Sequence, residues 1–127
     1  MAETEVARLW SHEEKNIVMV DFLPYVEVNQ AESVEVEKKV LSLLDLERKC
    51  FGITKLSEGT NMTTEARNYF AQCDLTRKHT IALAAVLQNL AHRMMYNFYL
   101  KFHKPNIPMK GFSKVNEATE WLAQKGA

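Results

Sequence analysis

The sequence predicts an α/β sandwich in which one mixed sheet of about five strands is packed by four helices. Short runs of β-branched and aromatic residues alternate along the chain with longer stretches that repeat apolar residues at helical spacing. This alternation favours right-handed crossovers and mostly parallel strands, and an N-terminal hairpin adds antiparallel pairing. The chain has 127 residues, 46% apolar and 25% charged, so residues 1–127 are predicted to form a single globular domain.

The first predicted element is a β-hairpin. Residues 5–10 (EVARLW) and 16–28 (NIVMVDFLPYVEV) are rich in strand-forming residues, and the charged segment 11–16 joins them. Neither strand has a fully polar face, so both faces of the sheet are expected to be covered. Pro24 has no N–H to donate, which predicts that the second strand is an edge strand or bends at that point.

The middle of the chain predicts helix, strand and helix. Asn29 and Glu32 have the spacing of a capping box, and the apolar positions that follow predict a helix over 30–46. Residues 50–56 (CFGITKL) form a run of strand length. The next helix begins after Thr63 or Thr64, either of which is a suitable cap, and runs to about Cys73.

The last third predicts two further strand and helix pairs. Residues 80–87 (TIALAAVL) are the most apolar strand and are expected at the centre of the sheet. The helix over 88–103 ends at Pro105 and Asn106, and a short strand over 107–112 follows. Ser113 is predicted to cap the final helix. The resulting order is β-β-α-β-α-β-α-β-α.

Composition and charge exclude several classes of protein. Sixteen basic residues balance sixteen acidic ones, so the net charge does not favour nucleic acid or membrane surfaces. No apolar stretch is long enough to cross a bilayer, and the first residues do not resemble a signal peptide, so a cytoplasmic protein is predicted. Cys50 and Cys73 have no metal-type spacing and are interpreted as buried free thiols.

No catalytic, cofactor or metal site is predicted. His92 and His103 lie roughly 16 Å apart along one helix and cannot share a metal ion. The sequence contains no GxSxG nucleophile motif and no glycine-rich phosphate loop. The carboxylate pair Glu35 and Glu37 is assigned to the solvated side of its helix.

One loop is a candidate anion or phosphate site. It joins the carboxyl end of a strand to a helix N-terminus, where free N–H groups and the helix dipole favour anions. The alternative is that its polar side chains only cap the helix and shape the turn. The candidate residues are Ser57, Thr60, Asn61, Thr63 and Thr64.

The helix over 88–103 carries more apolar residues than one sheet contact needs. Core spacing is followed by Leu87, Leu90, Ala91, Met94 and Phe98. A second stripe of Met95, Tyr99 and Phe102 widens the apolar arc to roughly half the circumference. The surplus is expected to be covered by the last helix with Trp121, by a partner chain such as a second copy in a homodimer, or by a hydrophobic ligand.

The order of elements resembles that of the STAS family, the sulphate transporter and anti-sigma factor antagonist domains. The segments that carry this likeness are CFGITKLSEGTNMTTEARNYFA (50–71) and IPMKGFSKVNEATEWL (107–122), and the closer likeness is to stand-alone bacterial SpoIIAA-like proteins. In signalling members of that family a serine at the start of the second helix is phosphorylated. The resemblance implies that Thr63 or Thr64 stands at this position, although the family's neighbouring aspartate and glycine are absent here.

These observations predict a non-enzymatic regulatory or protein-interaction module. The alternative is a carrier of a small apolar or amphipathic ligand. The ligand would be held between the long helix, over residues 88–103, and either the sheet or the last helix. Met95, Tyr99 and Phe102 are the candidate interface or ligand surface in either case.

Overall fold

Strands and helices alternate along the chain in the computed structural model, which describes residues 2–72, 78–103 and 107–127. The predictions for Cys73, Pro105 and Asn106 lie outside these residues. The strands are β1 (Ala2–Glu3), β2 (Ala7–His12), β3 (Ile17–Phe22), β4 (Glu27–Val28), β5 (Cys50–Leu56), β6 (Asn61–Met62), β7 (Thr80–Leu87) and β8 (Met109–Phe112). The helices are α1 (Gln30–Leu43), α2 (Thr64–Gln72), α3 (Leu90–His103) and α4 (Val115–Gln124).

Six strands form one mixed sheet in the order β1-β2-β3-β5-β7-β8. β1, β2 and β3 pair antiparallel, whereas β3, β5, β7 and β8 pair parallel. Helices α1, α2 and α3 each connect two neighbouring parallel strands, and these connections step across the sheet in one direction. Crossovers of one hand therefore place the three helices on the same face. The predicted mixed sheet with four helices is confirmed for the described residues, with β1 as an added edge strand.

The two faces of the sheet have separate apolar cores. Side chains alternate along β3, so Val18 packs with Val40 of α1 on one face. Ile17 packs with Leu122 of α4 on the other face. Both faces are covered, as the sequence predicts, and we call them the α1–α3 face and the α4 face.

Helix α1 begins as predicted but ends earlier. The Asn29 side chain accepts a hydrogen bond from the Glu32 N–H at 2.9 Å, and the Glu32 carboxylate accepts one from the Asn29 N–H at 3.0 Å. The helix was predicted to reach residue 46 but ends at Leu43. Asn16 explains the difference, because its side chain bonds both the N–H and the carbonyl of Asp45 and holds this backbone outside the helix.

The chain leaves the sheet before Pro24. The sequence predicts an edge strand or a bend at this proline; β3 lies between β2 and β5 and is not an edge, so the bend is the alternative that occurs. Tyr25 adopts a left-handed backbone with φ of 55°. β4 then pairs in parallel with β6, which brings the segment before α1 beside the segment before α2.

Ser113 does not cap the final helix. The residue before α4 is Lys114, whose side chain makes no capping hydrogen bond. The Ser113 hydroxyl instead accepts a hydrogen bond from Nη2 of Arg93 on α3, at 2.9 Å. A cap prediction cannot anticipate this contact, because the two residues are brought together only by the tertiary fold.

Candidate functional site

A cavity of about 190 Å³ lies between the sheet and the helices of the α1–α3 face. Its wall is largely apolar and includes residues from all three helices and from β3, β5, β7 and β8. The main apolar and aromatic lining residues are Val18, Val20, Val36, Val40, Phe70, Leu83, Ala85, Met95, Tyr96 and Tyr99. The cavity therefore lies between the long helix and the sheet, one of the two places that the sequence suggested for a ligand.

Small side chains on the sheet explain why this space is open. Strand register aligns Val20, Thr54, Ala85 and Gly111 in one row across β3, β5, β7 and β8. Side-chain volume falls along that row towards β8, beneath α3. Two glycines on this face are covered by neighbouring side chains, since a Cβ at Gly52 would lie 2.6 Å from Cδ2 of Leu83 and one at Gly111 would lie 3.2 Å from Cδ1 of Leu87. The small side chains that line the cavity itself are Thr54 and Ala85.

A buried carboxylate lies on the α1 side of the cavity. Glu37 is 8% exposed and lines the cavity, so its assignment to the solvated side of α1 is wrong. Its Oε1 accepts a hydrogen bond from the Tyr69 hydroxyl at 2.6 Å, and burial together with this bond raises the pKa of Tyr69 to about 12. Glu37 lies directly after the core residue Val36 and three residues before the core residue Val40. This spacing places it beside the apolar stripe of α1, and it is the signal in the sequence that could have identified the carboxylate as buried.

Arg67 contributes a cation to the wall from the first turns of α2. Its Nη1 donates to the Met62 carbonyl at 2.9 Å and contacts Sδ of Met95 at 3.8 Å, and its Nη2 donates to the Thr64 hydroxyl at 3.2 Å. The side chain is half-buried and joins α2 to α3 at the cavity. Among the described residues, these recorded partners are all neutral.

His92 is buried in the first turn of α3 and also lines the cavity. Its Nε2 lies 2.9 Å from the Thr60 carbonyl, and because a carbonyl only accepts, we assign the proton to Nε2. Nδ1 has no hydrogen-bond partner among the described residues. A buried polar atom without a hydrogen-bond partner is uncommon, so Nδ1 is a polar exception in a largely apolar wall.

Tyr96 lies one turn further along α3. Its ring lies over β8, since a Cβ at Gly111 would be 3.4 Å from Cδ2 of Tyr96, and it stacks on Tyr99 with ring centroids 6.1 Å apart. Burial raises the pKa of Tyr96 far above its ordinary value.

The predicted anion loop uses most of its polar groups internally. The Ser57 hydroxyl donates to the Phe22 carbonyl at 2.8 Å, and the Thr60 hydroxyl donates to the Leu23 carbonyl at 2.9 Å. Thr63 caps α2 by accepting from the Ala66 N–H at 3.1 Å. Thr64 accepts from Arg67, and Asn61 is exposed in β6. These contacts are those of the capping and turn-shaping alternative, and none of the five residues lines the cavity.

Helix α3 presents one apolar face to the cavity and another to solvent. Met95 and Tyr99 line the cavity, whereas Phe102 is 65% exposed, so these three predicted residues do not share a surface. The core assignment of Leu90, Ala91, Met94 and Phe98 is wrong, because all four are exposed. We call the exposed residues Leu90, Met94, Phe98 and Phe102 the outer row; they are 70%, 64%, 64% and 65% exposed.

Polar contacts fix which side of α3 faces inward. On one side Arg93 Nε donates to the Leu87 carbonyl at 3.1 Å and Nη2 reaches Ser113. On the other side His92 is bonded to Thr60. Trp121, a predicted cover for the helix, packs instead against Phe112 on the α4 face. Helix α3 does carry the surplus apolar surface that the sequence predicts. That surface consists of the residues of the outer row.

The described residues hold neither a metal cluster nor a membrane-spanning helix. No three His, Cys, Asp or Glu side chains within them converge where a metal ion could bind. None of their helices combines the length and apolar content that a bilayer crossing requires. Cys50 is buried beside Asn16, its pKa is raised by burial, and it does not line the cavity.

The fold is that of SpoIIAA-like proteins. The chain is similar to the crystal structure of an uncharacterised protein from the DUF3478 family with a SpoIIAA-like fold, from Shewanella loihica PV-4, with a TM-score of 0.67. That match covers 96% of this chain and 98% of the other at 12% identity, so it shows the fold alone. The resemblance predicted from the sequence is confirmed at this level.

Within that fold, the chain belongs to the family described as Domain of unknown function (DUF7793), whose model matches residues 9–125. No curated protein sequence matches the chain.

Proposed function

We propose that this protein is a non-enzymatic binding module that takes up a small, mainly apolar molecule in the cavity beneath α3. The cavity itself is the observation that carries the proposal. An apolar cavity of roughly 150 Å³ accommodates benzene, so a volume of about 190 Å³ suits a one-ring or compact two-ring molecule. A mainly apolar wall with a few polar groups is also the usual composition of a ligand site.

A binding role rather than catalysis is supported by how the polar groups are arranged. Glu37 and His92 lie on different helices, and each is bonded to a neighbouring group of the protein, Tyr69 and Thr60 respectively. Cys50, the free thiol within the part of the chain that the structure describes, is buried away from the cavity. We include a cytoplasmic location in the proposal, because a reducing compartment keeps such a thiol free.

A cavity-filling substitution tests this function. Ala85 lines the cavity, so Ala85→Leu adds three carbon atoms inside it, whereas Ala91→Leu adds the same atoms on the exposed side of α3. We expect neutral 2-naphthol to bind the natural protein and the Ala91→Leu variant with similar affinity. Binding to Ala85→Leu is expected to weaken at least tenfold, as followed by naphthol fluorescence.

Circular dichroism and a melting temperature establish that each variant is folded. Overpacking a core typically costs about 1–3 kcal/mol of stability. Ala85→Val adds a smaller side chain than Ala85→Leu and overpacks the cavity less, so it serves as the intermediate case if the leucine variant is unstable. Equal naphthol affinity in a folded Ala85→Leu variant would show that the molecule binds elsewhere.

A second candidate function is protein interaction through the outer row, and the partner that we propose is a second copy of this chain. In an antiparallel two-fold pairing of α3 helices, Leu90 would face Phe102 of the other copy and Met94 would face its Phe98. The row is therefore self-complementary, pairing an aliphatic with an aromatic side chain each time. Four exposed large apolar side chains on one helix support this candidate.

Sedimentation equilibrium over a concentration series tests the dimer. We expect Met94→Ser to weaken dimerisation at least tenfold, because it removes apolar contact at the centre of the row. Asn97→Ser, also exposed on α3, is the control and is expected to dimerise as the natural chain does. A natural chain that stays monomeric at high micromolar concentration contradicts this candidate.

A further inference from the structure

We infer that the ligand of the cavity is a small apolar carboxylic acid, with its carboxylate paired to Arg67 and its apolar body in the cavity. This inference rests on the proposed function and specifies the chemistry of its ligand. The juxtaposition that leads to it is a half-buried guanidinium in the wall of an otherwise largely apolar cavity.

Arg67 retains hydrogen-bonding capacity that its recorded partners do not use. A guanidinium has five N–H donors. Two of them bond the Met62 carbonyl and the Thr64 hydroxyl, and a third approaches the sulfur of Met95, which is a weak acceptor. The remaining donors have no recorded partner among the described residues.

Within residues 2–72, 78–103 and 107–127, no ion pair balances the charge of Arg67. A partly buried cation whose partners are all neutral is costly, and a carboxylate is the acceptor that matches its planar donor geometry. Since Nη1 contacts Met95, which also lines the cavity, an acid held by Arg67 would have its apolar body beside α3.

Glu37 lines the same cavity and would repel a ligand carboxylate placed near it. Its Oε1 already accepts the Tyr69 hydroxyl. The ligand is therefore oriented with its acid group at Arg67 and its apolar end towards the floor formed by Thr54 and Ala85. The volume limits the body to roughly ten carbon atoms, because a cavity of roughly 150 Å³ holds benzene.

Calorimetric titration with 2-naphthoic acid and its neutral amide, 2-naphthamide, tests the inference. The two probes share one apolar body and differ in charge. At pH 7.5 we expect the natural protein to bind the acid at least tenfold more tightly, with a preference that declines as salt is added. Arg67→Met is expected to remove this preference while leaving amide affinity within twofold, and Arg67→Lys is expected to keep part of it.

Arg8→Met is the matched control, since Arg8 is exposed on β2 and its loss changes the net charge equally. Its preference for the acid is expected to equal that of the natural protein. Equal binding of acid and amide would overturn the inference and leave the proposed function standing. An equal loss for both probes in Arg67→Met would also overturn it, since Arg67 would then act only by shaping the cavity. If neither probe nor 2-naphthol binds, the proposed function fails together with the inference.

Discussion

Asn16 connects the hairpin to the segment between α1 and β5 through side-chain hydrogen bonds. It is 3% exposed and adopts a left-handed backbone with φ of 53°. Its amide donates to the carbonyls of Asp45 and Lys49 at 2.8 and 3.0 Å, and its oxygen accepts from the Asp45 N–H at 2.9 Å. A turn-forming Asn was recognisable in the sequence, but its partners about thirty residues away were not.

Asn16→Ala is expected to lower the free energy of unfolding by about 3 kcal/mol. The substitution leaves the buried backbone groups of Asp45 and Lys49 without their side-chain partner. It also places alanine in the left-handed region of the backbone, where its Cβ is strained and no side-chain hydrogen bond compensates. Asn16→Gly loses the same bonds without the backbone strain, so it is expected to be about 1 kcal/mol more stable than the alanine variant. Urea denaturation of both variants measures this difference, and equal stabilities would rule out the backbone contribution.

Tyr96 predicts how stability depends on pH. Burial raises the pKa of Tyr96 above its ordinary value of 10.0, so the folded chain keeps a proton that the unfolded chain loses above that pH. The stabilisation is therefore complete below pH 10 and declines as pH rises further. We expect Tyr96→Phe to make this alkaline decline shallower, as measured by urea denaturation between pH 8 and 11. Tyr25 provides a comparison: Glu58 raises its pKa too, but the side chain is 74% exposed and solvent screens that interaction, so Tyr25→Phe is expected to change the decline less than Tyr96→Phe does.

Among the helices and strands, three patterns that act within a few residues were correct, whereas the predicted cap at Ser113 was not. The capping box of Asn29 and Glu32, the strand over 50–56 and the strand over 80–87 all occur where the sequence places them. These predictions depend on local hydrogen bonds and on runs of strand-forming residues, which are independent of the rest of the fold.

The inward face of α3 was not predictable from its own sequence. Apolar residues surround much of this helix, so periodicity alone does not distinguish the outer row from the stripe of Met95 and Tyr99. The choice depends on the contacts of His92 with Thr60 and of Arg93 with Leu87, which form only in the folded chain. For the same reason Arg67, although visible in the sequence, could not be recognised as part of a cavity wall.

At the scale of the whole molecule, topology and strand register create the cavity. Three crossovers in one direction place α1, α2 and α3 on one face, and register aligns Thr54, Ala85 and Gly111 beneath them. The sequence predicts the crossovers, because strands and helices alternate. It does not predict the register, since that depends on which residues of distant strands become neighbours.

A crystal structure of the protein grown with 2-naphthol is the sharpest test of ligand binding in the cavity. We expect density for the two-ring molecule between α3 and the sheet, in contact with Met95 and Ala85. Side chains that fill this space, with naphthol density absent or confined to the outer row, would contradict it.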